Sequence, residues 1–418
     1  MPIAIVLAWW VIGLFFYLAG WPVPYRRVNA GLVAALVSAS AVLAGCAYLV
    51  VSRRAPAGVI PNRSRRAPVI VVVGIFASVL LLFPWAETYS AFHAWELLGA
   101  LQDQGRAFLG SSERIDQGSG SRLLVIAAQV LAAPATMAVI PFTALAWFER
   151  RAHGVYLLAG LSVQAAMSIL VGRDTYVVSA GILCAAGWYV ARVRRASMPG
   201  WRAVLIIAAG TVLFLVVFGA RKLSRGVREQ LCLPGADRCV TDGPPTLWDS
   251  VAASFVTYSS QSMEGLGRAF LGNWAFGGGY RHSQALGGIV KTLMGGGGPD
   301  VITDQLTAHD WSDTAYWSTG FAWIANDVPW ILVPVFVAIA AAFVALAWRR
   351  VVRWGDWLSA SVFGYGWFAL FFLAQNLTLA TSGPLYVGYI VLAVLFLARE
   401  VRLVLRRVAR RAPTPAAK

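Results

Sequence analysis

Charged residues are scarce in this chain of 418 residues, because Asp, Glu, Lys and Arg together make up only 13% of it, whereas 58% is hydrophobic. The mean hydropathy is +0.65. A soluble domain with so few charges could not hide that much apolar surface from water. The composition therefore excludes a soluble globular protein and predicts an all-α polytopic membrane protein.

Acidic residues are the scarcer of the two signs, with 19 Asp and Glu against 35 Lys and Arg, which gives a net charge of +16. In a soluble protein this excess would suggest a nucleic-acid partner. Here the arginines form short clusters between apolar runs, as the positive-inside rule describes for membrane proteins. We therefore expect membrane lipids as partners and exclude DNA and RNA.

The apolar runs are about 17 to 25 residues long, enough for a helix to cross the hydrocarbon layer. We expect about ten transmembrane helices. The first run carries neither a basic leader nor an A-x-A cleavage site, so we expect a retained helix. The runs lie near residues 2–20, 29–51, 68–84, 123–147, 154–171, 175–191, 202–220, 329–348, 357–374 and 384–398.

Arginine clusters follow every even-numbered run, which places both termini in the cytoplasm of a multi-pass protein of the cell membrane. The odd-numbered connections then face outward. The largest, residues 221–328, is an extracytoplasmic, partly helical subdomain between helices 7 and 8 of a single transmembrane domain spanning 1–418. We expect the tail 411–418 to be disordered. The clusters are Arg53, Arg54, Arg63, Arg65 and Arg66; Arg150 and Arg151; Arg192, Arg194 and Arg195; Arg349, Arg350 and Arg353; and Arg402, Arg406, Arg407, Arg410 and Arg411.

The sequence "MSILVGRDTYVVSAG" places two charges inside a long apolar stretch. A single helix over 154–191 would be about 57 Å long, nearly twice the hydrocarbon thickness. We therefore predict two helices joined by a tight turn at Gly172, Arg173 and Asp174, on the outer side. Asp174 is expected to cap the following helix or to hold Arg173.

Cysteine is rare, and two of the four cysteines, Cys232 and Cys239, lie close together in the long loop with Pro234 and Gly235 between them. This spacing is compatible with a disulfide in an oxidising compartment, and two unpaired thiols are the alternative. No histidine lies in this segment, which disfavours a metal site.

The apolar runs almost lack Asp, Glu and Lys, which argues against an ion-coupled transporter. Polar chemistry is therefore expected at the outer face. Arginine side chains bind phosphate oxygens well, although an arginine at the membrane edge is also commonly a snorkelling anchor. Histidine suits general-base chemistry; His282 is the preferred candidate, and His309 stays open. The candidate cations are Arg26, Arg27, Arg173, Arg221, Arg225, Arg228, Arg268 and Arg281. The amphipathic helix predicted within 246–270 opens with a capping box and is expected to lie on the mouth of the membrane domain.

Several of these features resemble the O-antigen polymerase and O-antigen ligase family, the extracytoplasmic polymerases of lipid-linked oligosaccharide repeat units (Wzy-type). The stretch "LVGRDTYVVSAG" looks like the family's Gly-x-Arg helix start. The stretch "YWSTGFAWIANDVPWILVPVF" looks like its loop end, where an aromatic-glycine segment and Asp327 precede the next span. After this aspartate the family commonly has glycines, whereas this chain has Val328, Pro329 and Trp330.

The resemblance implies an inverting glycosyl transfer that needs no metal and no cofactor, with a polyprenyl-diphosphate-linked glycan as substrate and a polysaccharide assembly system as partner. Arg173, Arg281 and His282 would be catalytic. The leaving diphosphate would be neutralised by arginines, and a base would take the acceptor proton. The expected diphosphate ligands are Arg173, Arg221, Arg225, Arg228 and Arg268, and the expected supporting residues are Asp174, Tyr280, His309 and Asp327.

Two other functions remain as alternatives. One is a membrane glycosyltransferase that uses polyprenyl-monophosphate sugars; such enzymes carry acidic residues in the first outer loop, where this chain has "WPVPYRRVN". The other is a non-enzymatic exporter or scaffold for polysaccharide or lipid.

Overall fold

The computed structural model describes residues 2–53 apart from 22 and 24, and residues 68–117, 121–149, 154–194, 246–293, 300–311 and 318–411. Within these ranges the regular elements are helices. The α-helices are α1 (Pro2–Ala19), α2 (Ala30–Ser52), α3 (Val69–Tyr89), α4 (Leu97–Gln102), α5 (Gln104–Gln117), α6 (Ser121–Phe148), α7 (Gly154–Val171), α8 (Thr175–Arg194), α9 (Leu247–Ala269), α10 (Gln284–Leu293), α11 (Ile302–Gln305), α12 (Gly320–Ala325), α13 (Val333–Trp354), α14 (Trp357–Phe372), α15 (Thr378–Thr381) and α16 (Gly383–Arg411).

Among the described residues, seven helices are long and apolar enough to cross a membrane: α1, α2, α3, α6, α7, α8 and α13 with the turn before it. The predicted all-α polytopic membrane class is thereby confirmed. The ninth predicted run forms α14, which is apolar but only 16 residues long. The tenth lies within α16, and the seventh, at 202–220, lies outside the described residues. The total of ten spans stays a prediction.

Small residues allow several helices to touch through their backbones. A Cβ atom on Gly74 of α3 would lie 2.2 Å from the carbonyl oxygen of Ala135 in α6. A Cβ atom on Gly13 of α1 would lie 2.3 Å from the carbonyl oxygen of Ser259 in α9. Helices in lipid associate largely by such close packing, because burial of apolar surface adds little driving force there.

The predicted turn at 172–174 is confirmed, with α7 ending at Val171 and α8 beginning at Thr175. Gly172 has a φ of +64°, and its N–H donates to Ile169 O at 3.3 Å. The N–H of Arg173 donates to Ser168 O at 3.2 Å. This pair of bonds is the Schellman motif, which needs a left-handed residue after the helix and favours glycine.

Ion pairs and hydrogen bonds of arginines join several helices at one end of the bundle. At this end, here called the Arg194 end, Arg194 pairs with Glu149, the residue after α6, and its Nη1 donates to Val352 O of α13 at 2.7 Å. At the same end, Arg399 of α16 pairs with Asp356 at 2.7 Å. The ends of α6, α8 and α13 and the Arg399 turn of α16 are therefore joined by arginine contacts at this end, and the opposite end is here called the Gly172 end.

The helix α9 keeps its predicted capping box, because the Thr246 side chain accepts from Asp249 N and the Asp249 side chain accepts from Thr246 N. Its predicted position across the membrane mouth is wrong. The ring of Phe255 in α9 lies 5.7 Å from that of Trp9 in α1, and residues 259–264 are buried. Close contact with Gly13 lets α9 run alongside α1 inside the bundle.

Candidate functional site

A glycine-rich turn at the Gly172 end wraps around Asp327, the residue that follows α12 by two positions. The N–H of Gly279 donates to Asp327 Oδ1 at 2.9 Å, and the N–H of Gly277 donates to Asn326 O at 2.7 Å. Gly278 and Gly279 both have a φ of +81°, a conformation that side chains disfavour. The run "FGGGYRH" is therefore glycine-rich because the backbone must turn tightly against a carboxylate.

This turn places His282 beside the carboxylate of Asp327 and the phenol of Tyr386. We call these three residues the His282 site. The Nδ1 atom of His282 lies 2.7 Å from Asp327 Oδ2, and the His282 backbone N–H donates to the same oxygen at 2.7 Å. The other ring nitrogen, Nε2, bonds to the hydroxyl of Tyr386 in the first turn of α16. The His282 side chain is 22% exposed and that of Asp327 9%.

The hydrogen bonds define the protonation of the ring. Burial alone would raise the pKa of Asp327, but the hydrogen bonds from the His282 side chain and backbone, the charge interaction with His282 and the Gly279 N–H outweigh it and hold that pKa below its ordinary value. An ionised carboxylate only accepts, so Nδ1 of His282 carries a proton. In the neutral form of the imidazole, Nε2 is then the acceptor and faces the Tyr386 hydroxyl.

Arg281, next to His282, forms an ion pair with Asp304 of α11, and the two side chains are 16% and 42% exposed. Asn326 links the Arg281 backbone to α11 by hydrogen bonds. Its side chain donates to Arg281 O at 3.1 Å and to Thr303 Oγ1 at 2.9 Å, and it accepts from Thr303 N at 3.2 Å. The positions of Arg281 and His282 are consequently fixed by backbone contacts as well as by their own side chains.

Arg268, a predicted diphosphate ligand, is buried at the end of α9 instead of lining an open surface. Its Nε atom donates to Glu264 Oε1 at 3.1 Å, and its guanidinium lies 5.5 Å above the ring of Trp311. The other carboxylate oxygen of Glu264 accepts from Arg27 N in the α1–α2 connection at 3.0 Å. In this arrangement Arg268 and Glu264 join three chain segments.

Arg173 lies in a different group of contacts. Its guanidinium is 5.9 Å from the Phe108 ring of α5, and Ser168 Oγ donates to its carbonyl oxygen at 2.6 Å. Helix α6 contacts both α7, which leads to Arg173, and α16, which carries Tyr386. The structure thus brings His282, Arg281 and Asp327 together and places Arg173 beside α5. The predicted side-chain role of Asp174, which is buried, stays a prediction.

His309, the other candidate base, contacts Arg268 through its backbone carbonyl, which accepts a hydrogen bond from the arginine. The ring of Tyr280 packs over Gly278.

Predicted residues that lie outside the described ranges are Arg221, Arg225, Arg228, Cys232, Cys239 and the tail from 412 to 418; Arg411 is the last residue of α16.

Three partners in these contacts were missed by the sequence analysis: Tyr386, Asp304 and Glu264. Glu264 had a usable signal, since it precedes Arg268 by four positions on a helix. Tyr386 had none, because it lies in "GPLYVGYIV", a run that matches a membrane span by composition.

Comparison with known proteins finds no matching family model, no matching curated protein and no matching solved structure. Across the part of the chain that the structure describes, no group of three or more His, Cys, Asp and Glu side chains is placed to hold a metal ion.

Proposed function

We propose that this protein is a membrane glycosyltransferase that polymerises or transfers polyprenyl-diphosphate-linked oligosaccharide repeat units in the synthesis of a cell-surface polysaccharide. The observation that carries the proposal is the His282 site, in which Asp327 orients a half-buried histidine toward a hydroxyl. The arginine clusters support the proposal, because the positive-inside rule favours the cytoplasm for the Arg194 end and hence the extracytoplasmic face for this end. The sequence resemblance to O-antigen polymerases supports the same reaction.

In the proposed reaction, an acceptor sugar hydroxyl takes the place of the Tyr386 hydroxyl at Nε2 of His282. As its oxygen attacks C1 of the donor glycan, its proton passes to Nε2, and the bond from C1 to the diphosphate oxygen breaks. The polyprenyl diphosphate leaves with the electron pair of that bond. Asp327 stabilises the imidazolium that forms, as a carboxylate does when it orients a catalytic histidine.

Charge on the departing diphosphate needs a cation close to the base, because preorganised positive groups lower the barrier most where the charge develops. Arg281 is adjacent to His282 and half-buried, so it is the first candidate. Its partner Asp304 would have to yield to the diphosphate, which is more highly charged. Arg173, Arg221, Arg225 and Arg228 stay as proposed contacts to the lipid carrier, and Arg268 is proposed to act from behind by positioning the end of α9.

The test is replacement of His282 by alanine in cells that depend on this protein for polymer. We expect lipid-linked single repeat units to accumulate and long polymer to disappear at an unchanged protein level. His93 offers a matched control, since its Nδ1 atom also contacts a carboxylate, that of Glu87, but the pair is exposed. The His93→Ala variant should make normal polymer.

Normal polymer from His282→Ala would exclude the proposed base. If neither His282→Ala nor Arg281→Ala changed the lipid-linked glycans, the non-enzymatic alternative of an exporter or scaffold would be favoured. Accumulation of polyprenyl-monophosphate sugars instead of diphosphate-linked repeat units would favour the other class of membrane glycosyltransferase.

A further inference from the structure

Two short segments that lead to the His282 site carry buried polar groups without partners. Gln375, three residues after α14, is 1% exposed, and Ser318, two residues before α12, is 2% exposed. Among the described residues, Oε1 and Nε2 of Gln375 and Oγ of Ser318 have no hydrogen-bond partner, and neither does the buried Oδ1 of Asn376. Each such group costs about 1–3 kcal/mol when it stays unpaired.

These groups belong to one place in the fold. The N–H of Gly320 donates to Leu373 O at 2.8 Å, so Ser318 and Gln375 each lie two residues from the same backbone hydrogen bond. A third segment, α9, reaches the same place, because Ser262 Oγ donates to Ala374 O at 2.7 Å. The residues that carry the unpaired atoms therefore lie within a few residues of the point where α9, the segment before α12 and the segment after α14 meet.

The same two segments continue into the His282 site. The segment through Ser318 enters α12 and ends at Asp327, while the segment through Gln375 leads to Tyr386. Between them, Ser283 Oγ donates to Ala380 O at 2.9 Å, which fastens the second segment to the residue after His282. A ligand held at Gln375 and Ser318 would thus be held by the chain segments that position the base.

We infer that Gln375 and Ser318 form a subsite for a sugar residue of the glycan, an inference that rests on the proposed function. An amide offers a donor and an acceptor side by side, which matches two neighbouring sugar hydroxyls, and a serine hydroxyl adds a third bond. All these groups are neutral, so the subsite selects the glycan and not its diphosphate. A site built to bond a hydroxyl discriminates strongly against ligands that lack it.

The test measures binding of two probes to the full-length protein in detergent, in a His282→Ala background that prevents turnover. One probe is the glycan-bearing polyprenyl diphosphate extracted from cells that lack this protein, and the other is glycan-free polyprenyl diphosphate. Gln375→Leu removes the amide at similar volume. We expect it to weaken binding of the glycan-bearing probe by about tenfold or more and to leave the glycan-free probe unchanged.

Tyr48→Phe is the matched control, because Tyr48 of α2 is also fully buried and its hydroxyl has no partner among the described residues. It should change neither affinity. If Gln375→Leu folds poorly, Ser318→Ala provides the second variant, with an expected loss of several-fold for the glycan-bearing probe alone. Equal binding of the glycan-bearing probe by both variants and the parent would overturn the inference and leave these groups as hosts for internal water.

The two proposals fail separately. If His282→Ala cells made normal polymer, the proposed reaction would be excluded, while a preference for the glycan-bearing probe that depends on Gln375 would still establish the subsite.

Discussion

Replacing Asp327 by asparagine removes one charge while keeping the shape of the side chain. In the native protein both carboxylate oxygens accept hydrogen bonds, from His282 Nδ1 and the His282 backbone N–H at 2.7 Å each and from Gly279 N–H at 2.9 Å. An asparagine amide can accept at only one of its two positions, so its NH₂ group would face a donor. Since a hydrogen bond to a charged group contributes about 1.5–3 kcal/mol, the expected loss of stability is about 2–4 kcal/mol.

The loss should depend on pH in a defined direction. The pKa of Asp327 is lowered in the folded protein, so its contribution is complete above the ordinary aspartate pKa of about 3.9 and disappears as pH falls through the lower folded value. The midpoint of thermal unfolding in detergent should therefore be higher for wild type than for Asp327→Asn at both pH 8 and pH 5. The difference should shrink only in stronger acid.

The same substitution should act on catalysis through the ring of His282. With asparagine in place of the carboxylate, the proton on Nδ1 is no longer preferred, and transfer should fall by about 10²–10⁴-fold, as expected when a histidine is held in the wrong tautomer. Membranes carrying each variant can be assayed for conversion of lipid-linked repeat units to polymer. A stability difference that vanished between pH 8 and pH 5, or full activity of the variant, would refute the assigned hydrogen bonds.

Two further predictions concern the frame around the site. Gly172→Ala should destabilise the protein by about 1–3 kcal/mol, because residue 172 is left-handed and its new Cβ atom would lie 2.8 Å from Phe108 N. Gly181→Ala is the control in the same thermal assay: a Cβ atom there would meet nothing within 4 Å, so this variant should be neutral or slightly stabilised. Glu264→Gln should destabilise by about 3–5 kcal/mol because it leaves buried Arg268 without its carboxylate, and the double variant with Arg268→Met should recover most of that loss. Equal midpoints for the two glycine variants, or strictly additive effects in the double variant, would contradict these contacts.

The features that local rules govern were predictable from the sequence. The break between α7 and α8 followed from length arithmetic and from a glycine beside two charges, and the capping box at Thr246 and Asp249 followed from spacing alone. The position of α9 was not predictable. Its pattern is amphipathic, and an amphipathic helix is equally suited to a membrane surface or to a polar interior. The close approach of Gly13 to Ser259 places α9 in the interior. Sequence patterns do not show this contact, because the two residues lie far apart along the chain.

Two residues of the His282 site, His282 and Asp327, were named from the sequence, whereas Tyr386 was not. His282 was the preferred candidate because histidine suits general-base chemistry near neutral pH. The partner Tyr386 lies 104 residues further along, inside an apolar run where its hydroxyl has no local signature. Gln375 has even less signal, since a single glutamine at the end of a span is ordinary in composition. Only the fold shows that its amide is buried and that, in the part of the chain that the structure describes, it has no hydrogen-bond partner.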